Sequence, residues 1–390
     1  MACTAEAAFL YIEWKQTMKI LLLSRYGSLG ASSRMRSYQY LPYLESQGID
    51  IKVAPLLNDE YVNGLYSGKA KPVLSILISY LKRFGIVLHS RSFDLLWVES
   101  ELFPWMPALM EIILNRLSIP YVIDYDDAIF HRYDLHPNRI ARFLLGGKIR
   151  SAMRNAMVVV AGSMYLADYA VRAGARRVEH IPTVVDLERY HIKEGTNAPG
   201  LNVGWIGTPM TVKYLTIVRP AMTQFLKKGD SMLSLIGAGH VNFGDLPVKI
   251  IPWSEDTEVA EVQNLDVGIM PLSDAPWEQG KCGYKLIQYM ACEKPVIASP
   301  VGANIEIVEN GVNGFLAGST EEWLTALNIL RDNPCLRKKM GMAGRKKVEE
   351  KYCLQVTAPK LMSVFKNTIE KENGRSFNNT GRIRSRQETG

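Results

Sequence analysis

The chain is poor in cysteine for its 390 residues, with only Cys3, Cys282, Cys292, Cys335 and Cys353. No two of them form a C-x-x-C pair, and none stands with a histidine at zinc-ligand spacing. This argues against a disulfide framework or a structural zinc module and fits a reducing, cytoplasmic compartment. There is no apolar run of about 18 residues, the length needed to cross a bilayer as a helix. The opening seventeen residues have no basic leader and carry Glu13 and Lys15 inside their apolar part, so they do not read as a signal peptide. Residues 1–17 read instead as an extension outside the fold, which Met18 opens. No repeat with a period of about 20–50 residues is present. Nucleic acid is not an expected partner, because no recognition module or basic-aromatic array is found. There is no G-x-G-x-x-G, which disfavours a dinucleotide oxidoreductase.

What is present is a chain with 47% hydrophobic residues and a formal charge of +7. That is enough apolar content for two cores, and a mildly basic balance that favours a phosphorylated ligand or a membrane surface. Apolar strand-like runs alternate with helical stretches. In the first half the runs lie at 19–24, 49–54, 95–99, 121–124, 157–161 and 178–181, with helices expected over 33–47 and up to Leu117. A polar segment, 193–200, reads as a linker. A second series follows at 201–206, 231–236, 249–251, 267–270 and 296–298, with helices over 320–333, 335–351 and 354–370. Alternation of this kind predicts an α/β fold of two Rossmann-like, doubly wound parallel-sheet domains facing a cleft. The expected boundaries are 18–195 and 201–352, with a helix at 353–373 crossing back to the first domain and a polar, disordered tail at 374–390.

The densest chemistry lies in the stretch from Asp266 to Gly302. A strand ends at Pro271-Leu272, and a loop follows with Glu278, Gly280, Lys281, Cys282 and Gly283. A helix then starts near Tyr284 and carries Lys285 and, one turn later, Gln288. The glycines permit close backbone approach, the helix start offers free amides and partial positive charge, and the two lysines add formal charge. Those are the needs of a diphosphate, with Gln288 on the Lys285 face to meet a ribose hydroxyl. The bland alternative is a solvated loop and an ordinary helix start.

This stretch resembles the C-terminal signature of the retaining glycosyltransferases of family 4. Met290-Ala291-Cys292 and the run from Pro295 to Ser299 match that pattern. The two glutamates of its Glu, seven residues, Glu motif are absent: Gly280 and Gln288 stand in their places. Lys285 matches the lysine of another branch, and Glu278 is two positions before the first missing glutamate. A second match runs from Gly204 to Lys213. Lys213 takes the position of a phosphate-gripping lysine, Thr208 that of its arginine partner, and Gly207 lies beside them. Trp253 falls where the family places its nucleobase pocket.

In the first half, the loop from Gly27 to Gly30 matches the family's glycine-rich first loop, with Arg34 placed to meet an acceptor phosphate. Asp124, Asp126 and Asp127 follow a strand. They read as ligands for sugar and acceptor hydroxyls, as a divalent cation site, or as helix caps. Asp126 occupies the place of a family histidine that touches the donor sugar.

The resemblance implies a GT-B fold and a glycosyltransferase using a nucleotide-diphospho-sugar as substrate, with retention and without cofactor or metal. Asp126, Lys213 and Lys285 would be catalytic. Gly30, Gly207, Thr208, Trp253, Glu278, Lys281, Cys282, Gly283, Tyr284 and Gln288 would complete the donor site with those two lysines. Arg34, Asp124 and Asp127 would meet a glycan or lipid-linked acceptor. The missing glutamates leave two other expectations: a non-catalytic GT-B subunit binding a partner glycosyltransferase, or a GT-B nucleotide-sugar epimerase. The segment 72–91, apolar with Lys82, Arg83 and Arg91, is either a core-packed helix or an amphipathic one in peripheral contact with the inner face of an anionic membrane.

Overall fold

The computed structural model describes residues 17–66, 73–192 and 200–387, with side chains described through 64, over 73–192 and over 200–371. Residues 1–16, the 193–199 part of the expected linker and 388–390 lie outside the described residues.

Two six-stranded sheets account for the strands. The first contains β1 (Lys19–Leu23), β2 (Asp50–Val53), β3 (Leu95–Glu99), β4 (Tyr121–Tyr125), β5 (Val158–Ala161) and β6 (Val178–His180), in the order β2-β1-β3-β4-β5-β6. The second contains β7 (Asn202–Ile206), β8 (Met232–Ile236), β9 (Val248–Ile251), β10 (Val267–Met270), β11 (Val296–Ala298) and β12 (Gly314–Leu316), in the order β12-β11-β10-β7-β8-β9. All pairings are parallel, for example Ile20 with Leu95 and Gly268 with Val296. The inner strands are buried on both faces, as β3 and β5 show along their whole length, because helices cover both sides of each sheet.

In each sheet the order of the strands reverses beside the first one, between β1 and β3 and between β7 and β10. Ligands of open α/β sheets bind outside the carboxyl ends of the strands at such points. Here those ends carry the 24–30 and 99–102 segments in one domain and the 207–208 and 271–283 segments in the other.

The helix expected over 33–47 is broken into Ala31–Arg36, a 3-10 turn at Tyr38–Tyr40 and Leu41–Ser46. The break follows from Ser37, whose hydroxyl turns back onto the Ser33 carbonyl. The 72–91 segment forms the helix Val73–Leu88, but it is not packed into the core along its length: only Arg83 and Val87 are fully buried.

The chain passes between the domains at two adjacent places. Val185 and Cys353 form a parallel bridge, and Leu354 N donates to Val185 O at 2.8 Å. The final helix, Leu354–Gln387, then lies against the first sheet. Its Ala358, Leu361, Val364, Phe365 and Ile369 share a core with Ile20, Leu22 and Trp97, and the Phe365 and Trp97 ring centroids are 5.1 Å apart. The helix backbone runs into the stretch expected as a tail from 374, with no proline after Pro359 to stop it.

Candidate functional site

The two switch points face each other. Gly280, if it carried a Cβ, would collide with Ala128 of the first domain. Cys282 Sγ donates to the Asp126 carbonyl at 2.8 Å, and Lys281 Nζ lies 3.6 Å from Asp127. The 278–283 loop therefore rests directly on the loop after β4. Burial raises the Cys282 pKa well above the thiol range, so it packs as a protonated thiol and offers no nucleophile at neutral pH.

The helix Tyr284–Ala291 starts at Gly283, which has φ +68° and no side chain to cap the first amides. A left-handed backbone there suits glycine, and a Cβ would also strike Ile307. Lys285 projects from the first turn. Its ammonium stands 4.2 Å from the centre of the Trp205 ring. A Cβ at Gly207 would be 2.7 Å from it, so that glycine is what lets the lysine lie along the loop after β7. Among the described residues no carboxylate is within ion-pair distance of Lys285. Burial, and secondarily Lys281, lowers its pKa to about 7. A lysine desolvated without a counter-ion favours a ligand that supplies negative charge.

Around this point the other sequence-selected residues divide. Thr208 is partly exposed and closes its own turn with Thr211. Lys213 is exposed on the 3-10 turn Val212–Tyr214, over the Tyr214 ring at 5.0 Å. Glu278 is buried and accepts a short hydrogen bond from the Tyr214 hydroxyl. Gln288 is 3% exposed and donates to the Tyr190 hydroxyl at 2.9 Å, so its amide is turned into the domain and not toward the mouth of the cleft. Tyr284 packs in the same core cluster as Tyr190.

Trp253, partly exposed after β9, donates through Nε1 to Glu258 at 2.9 Å. Arg34 of the first domain lies 5.2 Å over its ring and 3.4 Å from Glu255. Arg34 was expected to meet an acceptor. Instead it bridges the domains on the Trp253 side, because its short helix points it across the cleft.

Asp124 is the clearest correction. It does not face the cleft: it is 3% exposed and bound bidentately by Arg36, with Nε to Oδ1 at 2.7 Å and Nη2 to Oδ2 at 3.0 Å. Arg36 also donates to Ile181 O at 2.9 Å. Burial alone would lower the pKa of Arg36, but Asp124 outweighs it and holds it above the ordinary value. Asp126 is half-buried and accepts a short hydrogen bond from Ser32, which ties it to the segment after Gly30. Gly30 itself is buried against Tyr26. The three aspartates therefore do not converge, and among the described residues no group of three His, Cys, Asp or Glu side chains is placed to share a metal.

The sequence drew no attention to Glu99, at the end of β3. Its carboxylate accepts from Arg25 N at 3.0 Å and Ser33 Oγ at 3.0 Å. Burial raises its pKa to about 7, those two donors oppose the rise, and Asp126 and Asp124 add to it. Its folded pKa exceeds the unfolded one, so folding favours the protonated acid. Stability from this group is greatest below the unfolded value and falls as pH rises toward 7. Glu99→Gln, neutral at every pH, should therefore gain in melting temperature relative to wild type between pH 5 and 8. Parallel melting curves would refute this. Its neighbour Glu101 pairs with Lys148 and has Arg25 and Arg132 at 3.6 and 3.8 Å, another cluster assembled only by the fold.

A family model described as "Glycosyl transferases group 1" matches residues 201–333. A probable sucrose-phosphate synthase of Thermosipho melanesiensis is 36% identical over 91 residues, 23% of this chain and 20% of that protein. The capsular polysaccharide biosynthesis glycosyltransferase CapM of Staphylococcus aureus is 31% identical over 91 residues, covering 23% and 24%. The chain thus spans about a fifth to a quarter of the length of the curated relatives it matches. Among solved structures, Anabaena Alr3699/HepE in complex with UDP superposes with a TM-score of 0.65 at 18% identity, over 90% of this chain and all of that one (100%). Sucrose-phosphate synthase from Thermosynechococcus elongatus does so with a TM-score of 0.69 at 15% identity, over 91% and 100%. The chain has the two-domain GT-B fold, and its second domain is similar to the group 1 glycosyl transferases.

Proposed function

We propose that the chain is a glycosyltransferase that moves a sugar from a nucleotide-diphospho-sugar to a hydroxyl of a glycan or lipid-linked acceptor, with retention, in the synthesis of a surface polysaccharide or glycoconjugate. The observation that carries this is Lys285: a buried lysine with no anionic partner among the described residues, beside Lys281 and against Gly207, at the start of an uncapped helix. A donor diphosphate supplies the missing charge. In this reading Lys285 and Lys281, with Lys213 at the rim, stabilise the negative charge that grows on the departing nucleotide. Trp253 and Arg34 flank the base, and Asp126 and Asp127 meet hydroxyls on the first-domain side. The match over 201–333 supports this reading, as do structural neighbours solved with UDP and with UDP-glucose.

The experiment is calorimetric titration of the purified chain with a panel of nucleotide-sugars, followed by analysis of the products. Saturable binding of one nucleotide-sugar class, with release of its nucleotide diphosphate, is the expected result. Binding of none would overturn the proposal. A second reading rests on Glu278 and Gln288, whose positions are engaged internally by Tyr214 and Tyr190. A non-catalytic subunit built this way would bind the nucleotide and release nothing, alone or with acceptor. Conversion of the donor sugar without acceptor would mark an epimerase.

A further inference from the structure

The helix Val73–Leu88 is built the wrong way round for a helix facing water. Its charged Arg83 points inward, 2% exposed, and donates to the carbonyls of Ser24 at 2.6 Å and Ala54 at 2.8 Å. Its leucines point outward: Leu74 is 70% exposed, Leu77 56% and Leu81 65%. The inward arginine fixes the helix by satisfying backbone carbonyls at the ends of β1 and β2, and so presents the apolar arc.

That arc continues onto neighbouring elements. Tyr80 of the helix donates to Pro104 O at 2.8 Å, next to Trp105. Trp105 is half exposed, with φ +62°, and its backbone N–H is held by the Tyr133 hydroxyl at 3.1 Å. A non-glycine residue kept in the left-handed region by a specific hydrogen bond is held there by its surroundings. The Trp105 ring meets His136 at 5.6 Å. Beyond His136 the helix Arg139–Leu145, capped by Asn138, exposes Ile140 and Phe143, the latter at 88%. Most of the exposed large apolar side chains among the described residues belong to this region of the first domain. They form a patch of the kind that marks an interaction surface.

Charge says what covers it. Among the described residues from 73 to 150, the exposed basic residues are Lys82, Arg91, Arg116, Arg139, Arg142 and Arg150; the acidic side chains that reach solvent are Asp94, Asp127, which is paired with Lys281, and in part Asp126, which is bonded by Ser32, and Asp134, which is paired with His131. Asp94 already accepts from the Lys19 backbone N–H. A second copy of the chain pairing this face with itself would bring like charges together. Apolar side chains fringed by cations fit the interface of an anionic bilayer, where the first enter the acyl boundary and the second meet lipid phosphates.

We propose that this face of the first domain, formed by the helices Val73–Leu88 and Arg139–Leu145 and the Trp105 loop between them, docks on an anionic lipid surface. Among the described residues no helix is long and apolar enough to cross a membrane, so the contact is peripheral. The Trp105 loop follows β3 on the carboxyl side of the sheet, where the cleft opens. Docking therefore sets the cleft beside the lipid headgroups. The inference stands apart from the nucleotide-binding proposal.

The test is flotation of the full chain, without any nucleotide, with phosphatidylcholine vesicles that contain or lack phosphatidylglycerol. Wild type should partition about tenfold or more in favour of the anionic vesicles, less so at high salt. The pair Leu77→Glu with Leu81→Glu and the pair Arg139→Gln with Arg142→Gln should each lose that binding with melting temperature unchanged. Equal failure of wild type on both vesicles would overturn the proposal. So would undiminished binding by both variants, or a chromatographic dimer that the Leu77→Glu/Leu81→Glu pair dissociates.

Discussion

Lys285→Met should weaken nucleotide-diphospho-sugar binding about 100-fold, roughly 3 kcal/mol for a charge-assisted contact made away from bulk water, and should leave the melting temperature unchanged or raised. The two halves of that expectation come from one fact. In the free protein the Lys285 ammonium is desolvated against Trp205 with Lys281 nearby and, among the described residues, no carboxylate to offset it. Such a charge is a cost to folding, and methionine keeps the volume while removing it. The diphosphate is what the charge is for. The pH dependence has a definite sign. With its pKa lowered to about 7, Lys285 is largely neutral at pH 8 in the free protein and becomes charged when an anion binds. Binding therefore takes up a proton, and affinity should fall as pH rises from 7, approaching tenfold per unit. The methionine variant should show a flat profile over the same range. Calorimetry in buffers of different ionisation enthalpy measures the proton directly. Unchanged affinity in Lys285→Met would remove the lysine from the site.

Asp124→Ala should destabilise the fold by about 3–5 kcal/mol, the range for breaking a buried ion pair by deleting one partner. Arg36 would be left buried with only neutral acceptors, Ile181 O at 2.9 Å and the Thr183 hydroxyl at 3.4 Å. Because the cost is the stranded guanidinium and not the lost carboxylate, Arg36→Met in the same chain should recover a large part of it. The double-mutant cycle should show strong coupling. Chemical denaturation of the four proteins checks this. A single variant with wild-type stability would return Asp124 to the list of groups free to meet an acceptor.

These two residues also show where the sequence was readable. Strand runs such as Lys19–Leu23 and Leu95–Glu99 were legible because a strand buried on both faces must be apolar throughout. The alternation of such runs with helices carried the two-sheet architecture. The three-residue strand Gly314–Leu316 was not read as a strand, since a short edge strand has no periodicity to reveal it. The segment from Glu278 to Gln288 declared its chemistry because its glycines, lysines and helix start are contiguous. Arg36 and Asp124 are 88 residues apart, Tyr214 and Glu278 are 64, and Tyr190 and Gln288 are 98. Which carboxylate or amide is consumed by a distant partner depends on how helices dock on sheets, and residue type alone does not encode it. The same holds for Glu99, an acid at the end of an apolar strand whose proton affinity is set by neighbours from three separate segments. It holds as well for the Val73–Leu88 helix, where composition left core and surface open and the inward turn of Arg83 decided between them.

The return of the final helix to the first sheet has a consequence for how the chain is made. Trp97, Ile20 and Leu22 are emplaced early in synthesis, yet the side chains that cover them, Phe365 among them, are added only after the whole second domain. The first domain to leave the ribosome is thus the last to be sealed. The second domain, contiguous from Leu201 onward, can close its own core while the first still exposes one face. Order of synthesis and order of completion are reversed, and the nascent chain must keep that uncovered tryptophan face from aggregating until its last helix arrives.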